Sequence, residues 1–435
     1  MRTLDARAIP VAEAARALAR SPAALEKPTA VAREVVAQVA REGDAALFAL
    51  AERFDGVRPA RLLLGRDALE EALLRLPRAL ADALRFAARQ IEAFHRPQVP
   101  VGYELSLGSV GSTAGQTPRA LDRVGVYVPG GPAGYPSSVL MGVIPAKLAG
   151  VREVLVATPP SKVTGLPPDA VLAASSIAGA DEVLVAGGAQ AIAGMALGTE
   201  SVRRVDKVVG PGNAYVTAAK LLLADRVGTD GIAGPSEVLV VADASLATEH
   251  LAAELLAQAE HDPDAVAIGV VVDDRDLGRV VEAAEARARS FPRSRQILES
   301  FARNGWLVKA PSVAYAVDLA NLLAPEHVVL GVGQARAYAY AIRNAGCVFL
   351  GPSTTAPMGD YSAGTNHVLP TSGSARWRGG LSVRDFVKFV SFLEVREADA
   401  GPLAAPASEI ARAEGFFAHA DALASRVTSQ EAVSR

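Results

Sequence analysis

Cysteine is nearly absent from this 435-residue chain: Cys347 stands alone. That excludes an internal disulfide and any zinc cluster built on thiolates. Cys347 sits in the apolar run Ala345–Leu350, which reads as a buried strand, so a small core residue is its plainest role. No tract of one charge occurs either. The 44 basic and 47 acidic residues give a net charge of −3, and they are spread along the chain, so neither a nucleic-acid patch nor an acidic tail is expected. Apolar runs such as Val139–Ile144 are too short to span a bilayer. The stretch Met1–Pro10 carries Arg2, Asp5 and Arg7 without an apolar core, unlike a signal peptide. These absences lead to the expectation of a soluble, cytoplasmic protein with neither nucleic acid nor membrane as partner. Two nucleotide-binding motifs are also missing, G-x-G-x-x-G and Walker A, with Gly331-Val332-Gly333 only a partial match.

What is present is globular. Half the residues are hydrophobic and 21% are charged, and the length admits two or three domains. Leu4 to Gln98 reads as helical and alanine-rich, with Arg78–Phe94 a clear amphipathic helix. Val99–Pro118 reads as loops with weak alternation, compatible with a hairpin. From Val124 the texture becomes repeated βα. Apolar runs at Val124–Val128, Val154–Ala157, Val183–Ala186, Val205–Val209 and Val238–Ala242 alternate with helical stretches, and runs near Val266–Val272, Trp306–Val308, His327–Leu330 and Cys347–Leu350 continue the rhythm. Some nine strands suggest two parallel-sheet domains rather than one, with ligands at the carboxyl ends of the strands. No sequence repeat relates the two halves. A patterned segment, Leu381–Val395, precedes a helical tail from Pro406 to Val427.

One stretch stands out, Gly234–Asp264. It begins with the strand Val238–Ala242, offers Asp243 and Ser245 as caps, and continues as a helix from Leu246 to about His261. Leu251, Leu255 and Gln258 share its buried stripe. An amide left unpaired there would cost on the order of 1–3 kcal/mol, so Gln258 needs a partner. A metal or polar ligand shared with His261 is one answer. A hydrogen bond from Gln258 to a neighbouring loop, with His261 favoured by the helix dipole, is another. Of the other histidines, His95 and His250 lie on helices without polar company and read as structural or solvated. His327 follows Pro325-Glu326, a carboxylate and an imidazole able to supply two bases to one site. His367 ends the polar block Gly359–His367, and His419 follows Glu414-Gly415. The glycine loops at Val128–Gly134, Gly187–Gln190 and Gly210–Tyr215 let backbone amides approach a phosphate or ring, though tight turns need such glycines too.

These residues fall into ordered blocks: Gly125–Gly131, Gly187–Ala193, Gly210–Val216, Ala233–Asp243, Gln258–His261, Pro325–His327 and Gly359–Pro370, with Glu414, Gly415 and His419 beyond them. In this the chain resembles the histidinol dehydrogenase family from about Val31 to Val427. The resemblance implies an α/β fold with two incomplete Rossmann-like parallel-sheet domains and small helical segments at both ends. It divides the chain into residues 1–22, a helical segment; 23–120 with 237–378, the first domain; 121–236, the second; and 379–435, a helical tail. It implies NAD⁺ and one Zn²⁺ per subunit, with Gln258, His261, Asp360 and His419 as metal ligands. Glu326 and His327 would be the catalytic bases. Ser236, Glu414 and His327, with the metal ligands, would hold substrate, and Tyr127, Gln190 and Asn213 would line the NAD⁺ site. It also implies a homodimer in which each tail completes the partner's site. The implied reaction is oxidation of L-histidinol to L-histidine through the aldehyde. Thr355-Ala356 stands where many members have Pro-Glu, which keeps another primary alcohol as the alternative. A zinc hydrolase or a non-catalytic metal-binding protein would lack the reduction of NAD⁺.

Overall fold

The computed structural model describes residues 1–19, 25–108, 111–131, 134–231 and 234–433. Pro132 and Ala133 of the first glycine loop, Ala233, and the expected 22/23 domain boundary lie outside the described residues. The chain begins with β1 (Arg2–Asp5) and α1 (Val11–Leu18), then α2 (Glu26–Leu50), β2 (Leu63–Gly65), α3 (Arg66–Arg75) and α4 (Arg78–His95). Strands β3 (Tyr103–Leu107) and β4 (Ser112–Ala120) pair antiparallel. There follow β5 (Arg123–Tyr127), α5 (Pro136–Leu148), β6 (Glu153–Thr158), α6 (Asp169–Ala178), β7 (Glu182–Val185), α7 (Gly188–Leu197), β8 (Lys207–Val209), α8 (Ala214–Leu222) and β9 (Gly228–Thr229). The next run is β10 (Glu237–Ala242), α9 (Thr248–Ala259), β11 (Val266–Val271), α10 (Leu277–Ala288), α11 (Ser294–Asn304) and β12 (Gly305–Lys309). It continues through α12 (Val313–Leu323), β13 (His327–Gly331), α13 (Ala335–Tyr338), β14 (Cys347–Leu350) and α14 (Ala356–Tyr361). The chain closes with β15 (Val387–Glu394), α15 (Glu397–Ala413) and α16 (Phe417–Val433).

Residues 1–98 and 121–386 form one compact unit, and 99–120 with 387–435 form a second. The first contains two six-stranded sheets, ordered β2-β7-β6-β5-β8-β9 and β1-β12-β11-β10-β13-β14. Apart from β2, which is antiparallel to β7, every pairing in both sheets is parallel. The strands are rich in β-branched residues and buried on both faces, as a sheet covered by helices requires. Along β10, Val238, Val240 and Ala242 pack into one core and Leu239 and Val241 into another. The same period of two divides β6 between two cores of its own. These are the two incomplete Rossmann-like domains expected.

Several expectations need correction. The amino-terminal stretch is not all helical, because Arg2–Asp5 pairs with β12 and Leu63–Gly65 with β7. The helices of residues 26–95 do not belong with 237–378. Helix α2 packs on α7 and α8, α3 on α6, and α4 on α5, so this segment covers the β5–β9 sheet. It is β1 and α1 that join the β10–β14 sheet, with α1 against α12. Amphipathic periodicity shows that a helix has a buried face, not which sheet receives it. Finally, the carboxyl-terminal tail is not only helical: β15 pairs with β4 in a three-stranded antiparallel sheet.

Candidate active site

The chemistry-bearing side chains gather at the amino edge of the β10–β14 sheet. Glu237, His327 and Cys347 each begin a strand, and Val238, His327 and Cys347 lie in one row. Ala324 ends α12 in the left-handed region (φ 50), which turns the chain sharply into Pro325, Glu326 and β13. Helix α9 runs back from the carboxyl end of β10, so its last turn brings Gln258 to this edge, with His261 just beyond. The helix begins at Thr248 rather than Leu246 and takes no side-chain cap. Asp243 and Ser245 are not its caps; Asp243 instead accepts from the backbone of Ser245 and Gly333. Helix α14 likewise brings Asp360 back from the far end of β14. The candidate groups of this sheet thus gather where helices return and strands start, not at the carboxyl strand ends where ligands were expected.

His327 lies at the centre. Its Nδ1 is 3.1 Å from the Glu237 carbonyl oxygen and 3.5 Å from Glu326 Oε2. Donation to that carbonyl fixes the proton on Nδ1 and leaves Nε2 as the exchangeable position. Nε2 lies 3.4 Å from Asp360 Oδ1, an ion-pair distance, yet closes no hydrogen bond. The ring stacks on Phe349. Glu326 Oε2 accepts from the Glu237 backbone N–H at 2.9 Å. Burial pushes Glu326 well above the ordinary carboxylate range. Burial alone would lower His327, but Glu326 and Asp360 outweigh it and raise the imidazole. The two carboxylates and the imidazole thus titrate as a coupled group.

A divalent cation fits the neighbouring donors. Gln258 is buried and its Nε2 has no partner. Amide nitrogen and oxygen are isosteric, so turning the amide over presents Oε1 to a cation. Burial works against ionising Asp360, but His327, His367 and His261 hold it below the usual range. His261 keeps an exposed face, while desolvation of the rest of its ring holds it below its ordinary value against the pull of Asp360. Ionised carboxylate and neutral imidazole are the states a metal requires. Among the described residues no three His, Cys, Asp or Glu side chains already form a closed metal cage. The fourth expected ligand, His419, and the expected substrate residue Glu414 belong to the second unit, where both are exposed. His419 packs there against Phe416. Ser236 lies half-buried immediately before β10.

Two further side chains at this edge, Glu254 and Ser138, escaped the sequence reading, and His367, noted there for its polar setting, acquires its partners here. Glu254, one turn before Gln258, accepts from the Ala356 backbone N–H at 3.2 Å and ties α9 to the start of α14. His367 donates from Nδ1 to the Asp360 carbonyl oxygen at 2.8 Å, and its Nε2 lies 3.0 Å from Ser138 Oγ in α5. Ser138 belongs to the other sheet's domain, so His367 joins the two. A carboxylate on the buried face of α9 was the available sign for Glu254; nothing local marks Ser138. His95, expected to lack polar company, is buried between the Ile91 carbonyl (2.8 Å) and the Asn366 amide (3.2 Å). His250 is exposed, as a solvated residue would be, and Cys347 is only half-buried.

The glycine loops occupy the opposite kind of edge, the carboxyl end of the β5–β9 sheet. Strand order reverses between β5 and β8, and such switch points open a crevice for ligands. Tyr127 ends β5, is buried, and accepts the Gly188 N–H at 3.0 Å. Gln190 donates to Asp55 Oδ2 at 3.4 Å. Asn213 caps α8 through Tyr215 and Val216, so it has a structural role whatever it binds. Burial raises Asp55 to about 6.

Two parallel sheets, one with glycine loops at its switch point and the other with a buried acid–base pair, suit an enzyme of the dehydrogenase class. The chain belongs to the histidinol dehydrogenase family, whose sequence model matches residues 18–427. It is 45% identical over 395 residues to the histidinol dehydrogenase of Methanothermobacter thermautotrophicus, covering 91% of this chain and 92% of that one. It is 44% identical over 420 residues to that of Methanopyrus kandleri, covering 95% and 97%. The crystal structure of histidinol dehydrogenase from Elizabethkingia anophelis matches with a TM-score of 0.92 at 33% identity, over 99% of both chains.

Proposed function

We propose that this chain oxidises L-histidinol to L-histidine through L-histidinaldehyde, with two NAD⁺ reduced, as the closing steps of histidine biosynthesis in the cytoplasm. The observation that carries this reading is the adjacent pair Glu326 and His327. Each is buried and held by the Glu237 backbone, and they lie beside donors suited to a cation. Alcohol oxidation needs the hydroxyl proton removed while hydride leaves the carbon. His327 takes that proton at Nε2, since Nδ1 is committed to the Glu237 carbonyl. The aldehyde must gain water before its own oxidation. Glu326, raised by burial, accepts a proton from that water, and His327 acts again on the resulting diol. Gln258, His261 and Asp360, with His419 of a tail, would hold one zinc ion. Bound there, the ion would supply a clamp on the substrate's imidazole and amine and would weaken the hold of Asp360 on His327. Ser236 and Glu414 complete the substrate contacts, and Tyr127, Gln190 and Asn213 line the dinucleotide crevice.

The test is stoichiometric. With L-histidinol as sole substrate, two NADH should form per molecule consumed and L-histidine should accumulate. NADH formed only with a different primary alcohol would move the reading to a related dehydrogenase, and none with any alcohol would reject it. Metal is checked separately: His261→Asn should lose zinc by elemental analysis while remaining folded.

The reading includes a homodimer whose tails act in trans. Support comes from the second unit, which leaves Phe392, Leu393, Ile410, Phe416 and Phe417 exposed along with Glu414 and His419. Coexpression of Glu326→Gln with His419→Asn tests it. Random pairing makes half the dimers mixed, and a mixed dimer with tails in trans has one intact site, so activity should return to roughly a quarter of wild type. No recovery in demonstrably mixed dimers would reject shared sites.

A further inference from the structure

Lys220 is buried in α8, only 4% exposed, among the core residues Val216, Ala219 and Leu223. Its Nζ donates to the Gly210 carbonyl oxygen at 2.6 Å and to Asp230 Oδ1 at 2.6 Å. The other carboxylate oxygen, Asp230 Oδ2, accepts the Gly210 N–H at 2.6 Å. Three hydrogen bonds therefore close around one residue and fix both of its backbone polar groups. Gly210 sits just past β8, at the switch point, with φ +112. A Cβ there would run into the Tyr127 carbonyl oxygen, so only glycine fits. From this fixed point Pro211 and Gly212 lead to Asn213, whose side chain anchors the far end of the loop to α8.

Packing does not explain the charges. The pair is sealed from water, with side-chain exposures of 4% and 8%, and burying two ions costs desolvation that an apolar pair of similar volume would avoid. What the charges achieve is directional. An ammonium and a carboxylate can hold a carbonyl and an N–H of the same residue, and no apolar pair can. We propose that Lys220 and Asp230 are positioning residues: a clamp that holds Gly210–Asn213 in the dinucleotide-binding conformation and so sets the affinity for NAD⁺ without touching it. The proposal rests on the reading of this crevice as the dinucleotide site.

The experiment compares Lys220→Met, Asp230→Asn and the double variant with wild type, reading NADH dissociation constants by fluorescence, steady-state constants and Tm. A loop released from its clamp should weaken NADH by about tenfold or more, because small misplacements of a binding group are expensive. The KM for NAD⁺ should rise in step, and the KM for L-histidinol should stay within about twofold. The single variants leave a buried charge unpaired and should lose stability, while the double variant, with neither charge, should regain it. Affinity should not return with it. If NADH affinity in the double variant recovers along with Tm, the pair is merely structural and the proposal fails. Gln190→Ala separates the two levels of inference. Weakened NADH in Gln190→Ala with wild-type affinity in the clamp variants overturns the clamp alone. Wild-type affinity in both overturns the dinucleotide site as well.

Discussion

In one sheet the strands run β7-β6-β5-β8-β9, and in the other β12-β11-β10-β13-β14. Each places its first strand at the centre and adds later strands to either side, and each takes one more strand from the amino-terminal segment at the same edge. Yet the candidate binding loops of the first lie at the carboxyl ends of its strands, and the candidate catalytic groups of the second at the amino ends. The backbone explains the difference. At the carboxyl edge of the β5–β9 sheet the helices begin, and the N-termini of α5, α7 and α8 favour the negative charge a dinucleotide carries. At the amino edge of the β10–β14 sheet helices end. The C-termini of α9 and α12 favour positive charge, whether a protonated His327 or a metal ion. One plan thus yields two edges of opposite polarity, and the His367–Ser138 contact links them.

The comparison can be broken at either edge. The largest effect should come from the amino edge. His327→Asn should slow oxidation of both alcohol and aldehyde by about 10³-fold, within the range for a lost general base. A uniform loss in kcat with unchanged KM for NAD⁺ supports the assignment, and a variant defective only toward NAD⁺ contradicts it. Glu326→Gln should be more selective. Oxidation of added aldehyde should fall by about 10²-fold, with the alcohol-to-aldehyde step, followed by single turnover, much less affected. Equal losses would remove water activation from Glu326.

The carboxyl edge should respond more mildly. Asn213→Ala removes the cap of α8, costing about 1 kcal/mol of stability, and should raise the KM for NAD⁺ several-fold without moving that for L-histidinol. The smallest effect is one of pH. Asp55 stands at about 6 in the folded chain against an ordinary 3.8, so folding favours its protonated form. Its contribution is full below about pH 4 and is lost as pH rises through about 6, up to roughly 2–3 kcal/mol for a fully buried group and less for this half-buried one. Asp55→Asn should flatten stability across that window, measured by urea unfolding at a series of pH values. An unchanged slope would show that Asp55 does not titrate there.

Much of this was legible in the sequence. The apolar runs of β5–β8 and β10–β14 announced themselves because strands buried on both faces need continuous β-branched residues. Gln258 was visible as an amide on a leucine stripe, and Glu326-His327 as an unlikely pair before a strand. Other features left no local trace. Arg2–Asp5 and Leu63–Gly65 are edge strands, short and weakly patterned, held by a single ladder each. Strand order is a tertiary property, so neither the shared plan of the two sheets nor the use of opposite edges could be read from either half. Lys220 did leave a sign, a charge inside the apolar stripe of α8, but its partner Asp230 lies ten residues on and emerges only when β9 folds beside β8.

The division of labour between the edges is tested most directly by measuring NADH binding, without turnover, to His327→Asn and Gln190→Ala. The account predicts wild-type affinity in His327→Asn, which lacks only the amino-edge base, and about tenfold weaker binding in Gln190→Ala at the carboxyl edge. The reverse pattern, with NADH lost from His327→Asn and retained by Gln190→Ala, would contradict it.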